Sequence, residues 1–162
     1  MDRPTIEDEA ARLLLEQRWA ALALSGPDGP AASMVAYAVE PAMAGLLVFV
    51  SSLAAHTRLL AATGTAALAI GAPDLGAGDP QQLARLTLTA TAAPLEREDA
   101  DFAAAWPVYA ERFPAAVPRL ALADFALFRL SPTAAHFVGG FARAASVDPG
   151  RLAAAVATLQ ER

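Results

Sequence analysis

Residues 83–95 read LARLTLTATAAPL, with threonine and apolar residues alternating through the middle of the run. Successive side chains of a strand point to opposite faces, so this alternation predicts a β-strand with one face buried and one turned outward. Such a strand needs others to pair with, and the rest of the chain supplies candidates. RWAALALS (18–25) and AASMVAYAVE (31–40) flank GPDGP, a glycine–proline turn that predicts a hairpin. GLLVFVSS (45–52) follows another short turn, and TAALAIG (65–71) precedes the threonine run. DFALFRLSP (124–132) and AAHFVGG (134–140) read as two final strands parted by a turn at Pro132.

Helices interrupt this series instead of alternating with it. Thr5 and Asp8 resemble a capping box ahead of Ile6, Ala10, Leu13, Leu14 and Gln17, which predicts a helix over about 6–17. A short helix is expected over 53–62, with Ser51 or Ser52 as cap and Gly64 as terminator. Another is expected over 96–113, kinked or divided by Pro107. A last one spans 149–160, with Asp148 as cap and Pro149 in its first position. Strands joined by short turns with interrupting helices point to the α+β class and an antiparallel barrel.

Composition narrows the function classes. The 162 residues suit one domain, read as 1–162, with a sizeable core. Every one of the 12 basic residues is arginine and the formal net charge is -5, without the basic stripe that a phosphate-backbone binder carries, so nucleic acid is not an expected partner. Although 56% of the residues are hydrophobic, alanine supplies much of that, and no uncharged apolar run nears the roughly 18 residues of a membrane helix, so no membrane association is expected. The acidic, amphipathic N-terminus lacks the pattern of a secretory signal, and the expected location is the cytoplasm. Without cysteine there are no thiolate sites, and with two histidines 80 positions apart no metal site is expected.

The polar residues concentrate at SSLAAHTR (51–58), directly after the apolar run LLVFV. A helix start offers unpaired N–H groups and positive dipole potential to an anion. Ser51 and Ser52 would donate hydroxyl hydrogen bonds there, His56 and Thr57 would add donors, and the Arg58 guanidinium would grip phosphate oxygens. The plainer alternative has a serine capping the helix, Thr57 packing and Arg58 facing water. Arg85 enters the threonine strand either as a solvated strand-end charge or as a second polar group for the same pocket. Gly139 and Gly140 follow a strand as a bulge or as a place of close backbone approach, and His136 reads better as a packed or solvent-facing residue than as a catalytic one.

In chain order, PAASMVAYAVE, LLVFVSSLAAHTRLLAATGTAALAI, DPQQLARLTLTATAAPL and DFALFRLSPTAAHFVGGFARA resemble the pyridoxamine phosphate oxidase-like FMN-binding split barrels, in the branch that includes haem-utilisation proteins. The resemblance runs from about residue 19 to residue 145. It implies a six-stranded antiparallel split barrel with flanking helices, a homodimer, and FMN in a cleft at the subunit interface. Ser33, Met34 and Val35 fall where the family's second strand passes the flavin. Ser51, Ser52, His56, Thr57 and Arg58 match the segment that holds the FMN phosphate, and Arg85 falls near a polar position that also reaches the cofactor.

The implied activity is that of an FMN-dependent oxidoreductase of unassigned substrate. The same barrel also admits a haem-binding or haem-utilisation protein, a deazaflavin as cofactor, or a cofactor-free structural dimer. The oxidase's lysine near the position of His56 is missing, which leaves the grip to arginine, histidine and backbone donors. The oxidase's C-terminal tryptophan and arginine pattern is missing too, which argues against pyridoxamine phosphate oxidation. The tail RLAAAVATLQER has no histidine to serve as the axial ligand that the haem branch takes from a C-terminal extension. Leu59 and Ala142 stand where that branch commonly has asparagine and glycine.

Overall fold

The computed structural model describes residues 4–140 and 143–162. Helix α1 (Ile6–Glu16) begins as its sequence predicts. The Asp8 amide donates to Thr5 Oγ1 at 3.1 Å and the Thr5 amide donates to the Asp8 carboxylate at 3.0 Å, so two otherwise orphaned donors are satisfied reciprocally. These bonds hold the Asp8 carboxyl below its ordinary range. Strands β1 (Trp19–Gly26) and β2 (Gly29–Ala36) form the hairpin, and β3 (Ala38–Val39) and β4 (Leu46–Ser51) follow. Helix α2 (Ala55–Thr63) ends at Gly64, whose φ of 64° closes it in the left-handed region that favours glycine. Strands β5 (Thr65–Gly71) and β6 (Arg85–Leu95), helix α3 (Ala100–Arg112), strands β7 (Phe125–Val138) and β8 (Ala144–Val147), and helix α4 (Pro149–Gln160) complete the order. Asp148 caps α4 by accepting from the Arg151 amide, with Pro149 in the first position.

All strand pairs are antiparallel, in the order β2-β1-β5-β6-β7-β4-β3 with β8 added against β7. The two ends of that order are consecutive in the chain. Tyr37 alone separates β2, paired to β1, from β3, paired to β4, so the sheet curls into a barrel that stays split where β2 and β4 part. Tyr37 is buried, and its hydroxyl donates to the Leu14 carbonyl at 2.8 Å, which locks the corner to α1. The inner face, including Leu22, Leu68, Ile70, Leu86, Leu88, Leu130 and Phe137, packs with α1, α4 and Leu60 of α2. Outside β4 and β7, α3 covers a second core of Phe49, Phe102, Trp106, Tyr109 and Phe125.

Four expectations are corrected. The described residues form eight strands, not six, because the second strand bends at Tyr37 into two pieces and β8 adds a short ladder that its four residues do not announce. Residues 125–138 are one strand, not two. Pro132 lies in the ladder next to a register shift that leaves Thr133 as an extra residue opposite Thr89 and Ala90, and a bulge of this kind accommodates a proline. Pro107 does not divide α3, whose buried Phe102, Ala105 and Tyr109 anchor the helix on both sides of the proline. Ser51 and Ser52 do not cap α2; Ala54 takes that position without a side-chain bond. Among the described residues no helix is long and apolar enough to cross a membrane.

Candidate functional site

The end of β4 and the start of α2 meet at the barrel's split. The β3–β4 register pairs Ala38 with Leu47 and Val39 with Leu46. Continued, it would set Val35 opposite Val50 and Met34 opposite Ser51. The strands diverge instead, leaving Ser33–Val35 and Ser51 on opposite lips of one opening, with α2 packed beside β1 and β2. As β2 ends the strand order, its outer edge carries backbone groups that no further strand pairs. Val35 points into the core, Ser33 is half-buried, and Met34 faces outward with 45% exposure.

The start of α2 is unusual in what it lacks. Alanine is a poor N-cap, worth about 1 kcal/mol less than serine or asparagine. The Thr57 and Arg58 amides turn back to the Ala54 carbonyl at 3.2 and 3.3 Å, while the amides of Ala55 and His56 have no acceptor among the described residues. One turn into the helix, the Thr57 hydroxyl is buried, at 3% residue exposure, and has no hydrogen-bond partner. An unsatisfied buried hydroxyl costs about 1–3 kcal/mol. An acceptor oxygen seated at this helix start would answer the open amides and the orphaned hydroxyl together.

The remaining residues of the segment have definite positions. Ser51 Oγ donates to the Asp124 carboxylate at 2.8 Å and accepts from the Leu53 amide at 3.3 Å. The exposed Ser52 is fixed through its amide, which donates to the Asp124 carbonyl at 2.6 Å. Arg58 lies exposed on the helix with Nη1 donating to the Leu53 carbonyl at 2.9 Å, which draws its guanidinium back toward the helix start. His56 is half-buried, and that burial holds its imidazole below the ordinary histidine range. Leu59 turns inward to pack against the core.

Arg85 stands apart within one chain. It pairs with Gly71 and Val138 at the start of β6, whereas Ser51 pairs with Phe125, beyond the Leu95–Leu127 end. Ten residues of β6 at about 3.3 Å each separate the two ends by roughly 33 Å along the strand. Arg85 Nη1 donates to the carbonyls of Gln81 and Leu83, fastening the turn before its own strand. The glycine pair makes the reversal from β7 to β8: Gly140 adopts a φ of 113°, and the Gly139 amide donates to the Arg143 carbonyl. Phe141 and Ala142, named with this motif in the sequence, lie outside the described residues. His136 is exposed on β7 beside Thr87 and Ser146.

A cavity of about 530 Å³ lies elsewhere, between the ends of α1 and α3, lined by Leu15, Arg18, Tyr37 and Arg112 among others. Its arginines already have partners. Arg112 donates to the Leu15 and Gln17 carbonyls at the end of α1, and Arg18 donates to the Arg112 carbonyl at the end of α3. Each cation caps the negative end of the other's helix, and this accounts for both without a ligand.

The sequence pattern of the family described as pyridoxamine 5'-phosphate oxidase matches residues 6–139. No curated protein matches the chain. Among solved structures, a haem-binding protein from Mycobacterium smegmatis is 30% identical with a TM-score of 0.84, over 95% of this chain and 62% of that one. The haem storage protein HutZ from Vibrio cholerae is 27% identical with a TM-score of 0.70, over 80% of this chain and 91% of that one. Atu2129 from Agrobacterium tumefaciens, a protein of unknown function, is 28% identical with a TM-score of 0.74, over 92% of this chain and 60% of that one. This chain thus spans less than two thirds of the Mycobacterium and Agrobacterium proteins.

Proposed function

The chain belongs to the pyridoxamine 5'-phosphate oxidase family, and from that premise we propose that it is an FMN-binding flavoprotein, an oxidoreductase whose cofactor phosphate sits at the start of α2. The observation that carries this reading is the uncapped helix N-terminus together with the buried, unpartnered Thr57 hydroxyl. These residues fit a phosphate group, which offers the acceptor oxygens they lack. The Ala55 and His56 amides would bind it, Thr57 would donate its hydroxyl, and Arg58 would supply a charge-assisted donor in place of the absent lysine. The open edge of β2 at Ser33–Val35 would present main-chain groups to the flavin ring. When bound, FMN supplies the electron-transfer chemistry, and the protein contributes binding, orientation and the electrostatic setting.

A homodimer belongs to the same proposal. The outward residues of the β2-β1-β5-β6-β7 face are mostly small: Ala32, Ala36, Ala21, Ala23, Ala69, Thr87, Thr89 and Ala134, with Trp19 57% exposed among them. A face of this kind, whose charged residues are Arg85 at one end of β6 and Arg129, paired to Glu40, at the other, suits a second copy. In such a dimer Arg85 would serve the partner's site and not its own, which answers its separation from α2.

Haem is the second reading, favoured by the 30% identity to a haem-binding protein and the 27% identity to a haem storage protein. An absorbance spectrum of the purified protein, followed by titration with FMN and with haem, separates the two. The expected result is a flavin spectrum and saturable micromolar or tighter FMN binding. A Soret band lost on replacing His56 or His136, with no FMN binding, would install the haem reading instead; a stable dimer that binds neither would leave a cofactor-free structural protein.

The depressed His56 pKa gives the binding a pH dependence. Burial keeps the folded imidazole neutral below the ordinary pKa of about 6.5, so the unfolded chain takes up a proton first and stability falls as pH drops below about 6.5 toward the lowered folded value. A bound phosphate favours the imidazolium and raises that pKa again. FMN is therefore expected to bind severalfold more tightly at pH 6 than at pH 8, with proton uptake measurable by calorimetry in buffers of different ionisation enthalpy. His56→Gln should flatten the profile; a profile that survives this change assigns the titration to another group.

A further inference from the structure

We infer that Asp124 and Arg97 are positioning residues that hold the start of α2 open for its ligand, an inference that rests on the phosphate reading of that helix start. Among the described residues, the hydrogen bonds that tie the segment between β4 and α2 to a distant part of the chain go to Asp124. The Asp124 carboxylate accepts the Ser51 hydroxyl proton, the Asp124 carbonyl accepts the Ser52 amide, and Ser51 Oγ accepts the Leu53 amide. These bonds occupy the serine that would otherwise be free to fold over and cap the helix, so the Ala55 and His56 amides stay available. Asp124 is held in turn. Arg97 directs Nη1 to the Leu120 carbonyl and Nη2 to the carbonyls of Leu122 and Phe125 at 3.0 and 3.1 Å, clamping both flanks of the loop that carries it. One guanidinium serving three carbonyls fixes the loop more firmly than single bonds would, because its planar fork is preorganised. The chain of support runs from Arg97 to the 120–125 loop, from Asp124 to Ser51 and Ser52, and from there to α2.

A carboxylate beside a phosphate carries a penalty by repulsion, and this lets the test separate charge from positioning. Asp124→Asn keeps an acceptor for Ser51 and removes the charge, whereas Asp124→Ala removes both. The expected order of FMN affinity is Asn at least as tight as the native protein and Ala about tenfold weaker, with riboflavin affinity within twofold throughout. Ser51→Ala should match Asp124→Ala, and the double substitution should be no worse than either alone, because both break the same link. Arg97→Ala should reproduce the FMN loss and leave riboflavin unchanged. Amide hydrogen exchange over residues 51–58 of the cofactor-free protein is the second readout, and it should quicken in Asp124→Ala and Arg97→Ala but not in Asp124→Asn. Additive losses, equal losses for riboflavin, or unaltered exchange would overturn the inference. If the native protein binds no FMN, the phosphate reading fails, and the exchange experiment still decides whether these residues hold the helix start.

Discussion

Arg58→Ala is expected to lower FMN affinity by about 10- to 100-fold and riboflavin affinity by less than about threefold. Hydrogen bonds to charged groups contribute about 1.5–3 kcal/mol net, and each 1.4 kcal/mol is tenfold in affinity. The chain has no lysine to substitute, and within one chain Arg85 lies at the far end of β6, so Arg58 is the one permanently charged cation in the 51–58 segment. Riboflavin lacks the phosphate and should scarcely respond. Removal of the bond from Arg58 Nη1 to the Leu53 carbonyl is a minor loss on an exposed surface, so the melting temperature should move little. Fluorescence titration with the two flavins at fixed ionic strength measures the ratio, and an equal loss for both would remove Arg58 from the phosphate site.

Gly45→Ala should lower stability by about 3–5 kcal/mol, the scale on which a broken buried ion pair is felt. For a chain of this size that corresponds to a fall in melting temperature of roughly 10–15 °C. The reason is space and not backbone conformation. A Cβ at Gly45 would lie 2.5 Å from Arg129 Cγ and 2.8 Å from Glu40 Oε2. Those two side chains form a bidentate pair at 2.7 and 2.8 Å, with Glu40 only 5% exposed. The Glu40 amide also donates to the Gly45 carbonyl at 2.9 Å, so the turn cannot swing clear. A methyl group there must part the pair and leave a buried carboxylate without its partner. In an Arg129→Ala background the closest clashing atoms, those of Arg129, are gone, and the Glu40 carboxylate, no longer held by its partner, can turn away from the added methyl group, so the added cost of Gly45→Ala should shrink to less than about 1 kcal/mol. Calorimetry of the four proteins measures it, and a full penalty in that background would refute the packing account.

The fold and the site were legible to different depths. The period-two pattern of β6, the hairpin at GPDGP, the capping box of α1 and the Asp148–Pro149 start of α4 were all readable, because each depends on residues close together in the chain. Pro132 and Pro107 misled for one physical reason. A proline's local preference to break an element was overruled by long-range pairing in β7 and by the aromatic core under α3. Arg97 and Asp124 had no local signal at all: Arg97 sits in a charge run that reads as a solvated helix start, and Asp124 precedes a strand as an ordinary polar boundary residue.

By itself the sequence determined the antiparallel α+β character of the chain, the run of polar residues at 51–58, and the lack of cysteine, lysine and a basic stripe that narrows its partners. The tertiary structure decided what those polar residues do. Ser51 looked free to cap α2 until Asp124, 73 positions away, took its hydroxyl proton, and Ala54 was left as the cap. Whether Thr57 has a partner is likewise a property of packing, since a hydroxyl near a helix start finds water or backbone unless neighbouring elements bury it. Capping propensity is local and can be read along the chain. Competition for a donor, and the burial that leaves one unsatisfied, depend on residues that meet only when the barrel closes.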